Sequence, residues 1–95
     1  MSEYGKIMNK INDVANAQSK YEAAKLKLEE EKAKIMLETN FEELLEVKRA
    51  TDSMKKAHVD AKTIDEKKEV NELKVKYSSE KNILKLMMLS YEKED

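Results

Sequence analysis

The only histidine, His58, has no cysteine to work with. A zinc site there would have to be completed by carboxylates alone, an unusual donor set. Three positions before it stands Lys55, which breaks the Glu-x-x-His spacing of helical di-metal sites. Glu29, Glu30 and Glu31, with Glu22 and Glu38 nearby, invite a paired-carboxylate reading. Adjacent residues of a helix point about 100° apart, so the run cannot converge on one proton or one metal. A solvated face is expected instead. The serines Ser2, Ser19, Ser53, Ser78, Ser79 and Ser90 are scattered away from any base that could activate them. The single glycine, Gly5, builds no phosphate cradle. We assign no catalytic residue, no cofactor and no metal ligand, and expect no enzyme.

The remaining chemistry is charge. Lys48, Arg49, Lys55, Lys56 and Lys62 could form a basic rim able to contact phosphates. Glu42, Glu43, Glu46, Asp52 and Asp60 interleave with them. Aromatic residues that could stack on bases are few: Tyr4, Tyr21, Phe41, Tyr77 and Tyr91. The whole chain carries 19 basic and 20 acidic residues, a net charge of −1, so no strong field draws it to nucleic acid or anionic lipid. A nucleic-acid-associated accessory role through the basic rim is the second reading, not the first.

These residues must be positioned by helices. Of the 95 residues, 41% are charged and 5% aromatic, and there is no proline. That is the composition of long helices and coiled coils. Ile7, Val14, Tyr21, Leu28 and Ile35 recur every seven residues, with Ile11, Ala17, Ala24 and Leu37 beside them. They draw one apolar stripe on a helix over about 3–38. In the second half Val70, Tyr77, Leu84 and Tyr91 are again seven apart, with Leu73 and Met87 between them and Glu80 as a polar break. Met54, Ala57, Ala61 and Ile64 continue the stripe upstream. The step from Ile64 to Val70 is one residue short of a heptad, which predicts a stutter or a change of neighbour near residue 67.

The stretch LETNFEELLEVKRATDSMKKAH, residues 37–58, carries two cap signatures in close succession. Thr39 or Asn40 can cap a helix, with Glu42 or Glu43 three residues on; Thr51, Asp52 and Ser53 offer a second set. We read a corner over about 39–52, with a short linking helix or turn, and a second long helix over about 53–92. Pairing the two heptad series antiparallel sets Ile7 with Tyr91, Val14 with Leu84, Tyr21 with Tyr77 and Leu28 with Val70. Each pair is centred on residue 49, inside the corner. The expected fold is all-α: one domain, an antiparallel, coiled-coil-like hairpin of two long helices.

Two apolar groups exceed what one partner helix can cover: Phe41, Leu44, Leu45 and Val47 at the corner, and Ile83, Leu86 and Leu89 near the end of the second helix. Such surface marks an interface. A homodimer forming a helical bundle is expected, together with a protein partner docking on these residues. No apolar run approaches the roughly 20 residues needed to span a bilayer. Without a signal-peptide core at the start, the expected location is cytoplasmic.

The segments YEAAKLKLEEEKAKIMLETNFEELL and KRATDSMKKAHVDAKT, about the middle two thirds of the chain, join a charged helix to Leu-x-Thr-Asn-Phe, a basic corner and a second helix. In this they resemble small, Lys/Glu-rich, all-helical phage proteins of Gram-positive hosts. The resemblance implies a phage-encoded helical protein and carries over no functional residue.

Overall fold

The structure is a computed structural model and describes residues 2–93. Among these the chain is helical with no strand: α1 is Glu3–Glu38, α2 Phe41–Leu44, α3 Asp52–Lys62 and α4 Ile64–Lys93. Helices α1 and α4 run antiparallel as the two arms of a hairpin measuring 70 × 17 × 15 Å, with α2 and the turn after it at the corner. The starts of α1, α2 and α3 are capped as the residue types dictate. The Ser2 hydroxyl accepts from the Gly5 amide at 3.1 Å, the Asn40 side chain from Glu43 at 3.3 Å and the Thr51 hydroxyl from Met54 at 3.2 Å.

The seam between the arms follows the heptads. Ile7, Val14, Ala17, Tyr21, Ala24, Leu28 and Ile35 of α1 are buried or half-buried, as are Val70, Leu73, Tyr77, Leu84 and Met87 of α4. The expected Tyr21–Tyr77 layer is formed by stacked rings with centroids 5.9 Å apart. Ile11 and Leu37 stand outside the seam, and Tyr91 is exposed rather than buried against Ile7. A charged residue takes the position beside Ile7. Lys10 lies in the seam and donates to Glu80 across it at 2.8 Å, both side chains about four-fifths shielded from solvent. The polar break at Glu80 is therefore answered by the opposite arm, where Ala17 borders the same groove and leaves it room.

The second arm is not one helix over 53–92. It is broken at Thr63, whose backbone (φ −115°, ψ 22°) leaves the helical region between α3 and α4. Thr63 is fully buried; its hydroxyl donates to the Val59 carbonyl at 2.8 Å and its amide to Asp60 at 3.3 Å. Its carbonyl accepts from Lys67, the first hydrogen bond of α4. This explains the short step in the heptads. Ile64 is exposed and was never on the seam; Thr63 is, seven residues before Val70. Across the break Lys67 donates to Asp60 at 3.0 Å.

The corner has its own core. Phe41, Ala50 and Val59 are buried together, with Ile35, Leu45 and Val47 packed on them. His58 meets the Phe41 ring edge-on at 5.6 Å, and the Lys55 ammonium lies 5.8 Å from its centroid. The turn after α2 closes with the Val47 amide on the Glu42 carbonyl and the Glu46 amide on Glu43, the six-to-one and five-to-two pattern of a Schellman motif. Glu46 takes the left-handed position that glycine usually fills, with φ 54°.

Phe41 is only 3% exposed, which corrects its assignment as a docking residue: its ring holds the corner together and cannot also reach a partner. Phe41→Ala is expected to cost about 3–5 kcal/mol, the loss typical of a core aromatic. Leu44→Ala, at a site 52% exposed, should cost less than about 0.5 kcal/mol. Thermal melts of the two variants check the contrast, and similar melting points would contradict the corner core. Glu46→Gly should stabilise by about 0.5–1 kcal/mol by removing the left-handed penalty, raising the melting temperature by several degrees.

Candidate functional site

The residues expected to bind a partner are separated by the fold. Leu44 is exposed at the corner, while Leu45 and Val47 are half-buried against Phe41 and border a shallow apolar groove of about 460 Å³ with Met54, Ala57 and His58. Ile83, Leu86 and Leu89 lie on α4, 19 or more residues beyond its start, or roughly 28 Å along the axis. All three are exposed, Leu86 to 67%. Each step of three residues turns about −60°, so the three span about 120° of the helix surface away from the seam. The two groups are distinct surfaces at opposite ends of the rod.

The basic residues divide as well. Lys48, Arg49, Lys56 and Lys62 are exposed, and Lys55 is half-buried over Phe41. Among the described residues none of the five has a carboxylate within 4.0 Å. The acids between them are held locally. Glu42 accepts from the Ala50 amide at 3.5 Å, Glu43 pairs with Asn40 and Asp60 with Lys67. The bases therefore point outward while several acids serve the fold. No aromatic platform accompanies them, since Phe41 is buried and Tyr21 and Tyr77 stack on each other.

A further groove, which the sequence pattern does not announce, lies between α1 and α3. It has a volume of about 490 Å³, with Ala33, Met36 and Val59 on its floor and Glu29, Lys56 and Asp60 among its other lining residues. It lies where α3 packs on the end of α1. Only a reading that placed Thr63 rather than Ile64 on the seam would have brought Val59 here.

Two groups titrate away from their ordinary values. The hydrogen bond from Lys67 holds Asp60 below the usual carboxylate range, and the hydrogen bond to Glu80 raises Lys10. Among the described residues no three His, Asp or Glu side chains gather as a metal site would require, and no helix is long and apolar enough to cross a membrane. No protein-family model matches the chain, and the comparisons with curated proteins and with solved structures gave no match.

The Asp60–Lys67 pair gives a signed pH dependence. Because Asp60 is depressed in the fold, its contribution is present above its unfolded value of 3.8 and is lost as pH falls through the lower folded value. Amides around Thr63 should exchange faster as pH falls below about 4, after correction for intrinsic exchange. Lys67→Met should remove that step; an unchanged acid profile in this variant would contradict the assignment.

Proposed function

We propose that this chain is a non-enzymatic interaction protein that docks the outer apolar face of α4, Ile83, Leu86 and Leu89, on a helix or groove of a protein partner. The exposure of these three side chains on a helix whose seam faces the other way carries the reading. Large aliphatic groups grouped on the outside of a rod gain free energy only when something covers them, roughly 1.5–3 kcal/mol for each side chain fully buried. The spread of about 120° suits a concave groove rather than a flat surface. Leu44 at the corner offers a second, smaller contact. On the resemblance to small helical phage proteins alone, the reading extends to a cytoplasmic partner from host or phage.

The outward bases of the corner favour a second reading, contact with nucleic acid through Lys48, Arg49, Lys55, Lys56 and Lys62. The two readings differ in their response to salt. Apolar docking tolerates it, whereas phosphate contacts weaken steeply as it rises.

The test is affinity capture followed by reconstitution from purified components. Leu86→Asp with Leu89→Asp should lower affinity for the reconstituted partner at least tenfold with helical content unchanged. Arg49→Glu with Lys56→Glu should leave it within about twofold. Retained binding in the leucine variant, or a single-stranded oligonucleotide shift that salt and the Arg49/Lys56 variant both abolish, would reverse the order of the two readings.

A further inference from the structure

The hairpin leaves its own seam open. No side chain of α4 from Ile64 to Glu92 is buried, and Val14, Tyr21, Ile35, Val70, Tyr77 and Leu84 are only half-covered. The two flanks of the seam differ. One carries a polar groove lined by Asp13, Asn16, Lys20 and Lys76, and next to it a shallow one in which Ala23, Ala24 and Leu73 lie between Lys20, Lys27 and Glu69. The other flank carries a second stripe. Met8, Ala15, Glu22, Glu29 and Met36 each follow a seam residue by one position, so they lie about 100° around α1 from it. Tyr4 and Ile11 fill this stripe at its start and Leu26 and Ala33 further along, and all of them are exposed, Tyr4 to 61% and Leu26 to 62%.

From this stripe we infer that a second copy of the chain packs along this flank, antiparallel, to make a four-helix bundle. The stripe complements itself about its own centre. At one end Tyr4, Met8 and Ile11 project; at the other Ala33 and Met36 floor the groove that α3 completes with Val59. Placing Tyr4 opposite Met36, Met8 opposite Ala33 and Ala15 opposite Leu26 of a second copy centres every pair close to Lys20. That is the signature of a two-fold contact, in which each copy inserts its projecting end into the groove of the other. The size is sufficient. The overlap from Tyr4 to Met36 runs about 48 Å along α1, and over the 17 Å width of the rod that is a footprint of about 800 Å², the size per partner of a standard interface. A net charge of −1 sets up little long-range repulsion between copies, and the two acids of the stripe, Glu22 and Glu29, have Lys25 and Lys32 beside them at 3.7 and 3.8 Å. The outer face of α4 stays free, so the inference does not rest on the docking role proposed for it.

The absence of cysteine makes the pairing directly testable. Light scattering on the size-exclusion peak should give twice 11.1 kDa. Met8→Cys mixed with Ala33→Cys should cross-link under mild oxidation, while neither variant alone does. Within one chain the two positions lie about 37 Å apart along α1 and cannot meet. Tyr4→Asp with Met8→Asp should halve the mass with helical content kept, and Leu86→Asp with Leu89→Asp should leave it unchanged. A monomer at every concentration would overturn the inference. So would a dimer in which Met8→Cys links to itself and not to Ala33→Cys, or one dispersed by the Leu86/Leu89 variant alone.

Discussion

The hydroxyl of Thr63, donating to the Val59 carbonyl at 2.8 Å, secures the joint between the two helices of the second arm. Two helices side by side can bury only one stripe each, and the stripe must stay on the same side along the whole contact. Val59, Thr63 and Val70 follow at steps of four and seven, so the buried side of α3 leads into the seam of α4. At Thr63 a single residue leaves the helical region. The hydroxyl then completes a carbonyl left open at the end of α3, and the buried threonine occupies the heptad position that the arm requires. An unmet polar group there would cost roughly 1–3 kcal/mol, a large share of the stability of a protein this thin.

Beside this joint α3 lies against the last turns of α1, and Val59 reaches Phe41 and Ala50. The corner thereby becomes a small packed core rather than a loose connection. Its acids hold an amide and a lysine in place, while Lys48, Arg49 and Lys62 face water. The two ends of the rod consequently differ in kind. The corner is closed by an aromatic core with charge around it, and the far end offers aliphatic side chains to the solvent.

The heptads of α1, the caps at Ser2, Asn40 and Thr51 and the Tyr21–Tyr77 layer were all legible in the residues, since spacing and cap chemistry are local signals. The break at Thr63 was legible only as a missing residue in the repeat. A polar threonine on the seam looks like an interruption until its hydroxyl has a partner. Lys10 escaped for the same reason: a lysine at a seam position reads as solvent-facing unless Glu80 is known to lie across from it. Phe41 reads as docking surface because an apolar cluster in a short linker looks exposed; whether it folds back depends on tertiary contacts with Val59 that no local pattern contains. The exposed set Ile83, Leu86 and Leu89 was readable because its residues fall off the heptad.

The Lys10–Glu80 pair has a mechanical consequence. Sliding α4 by one heptad along α1 would preserve most apolar layers but would bring Leu73 or Met87 to the place of Glu80, leaving a shielded ammonium against hydrocarbon. The arms are therefore latched lengthwise, and neither can ratchet past the other without breaking the pair. A latched rod of 70 Å behaves as a strut: it fixes the separation between whatever its two ends touch and passes a push at one end to the other with little compliance.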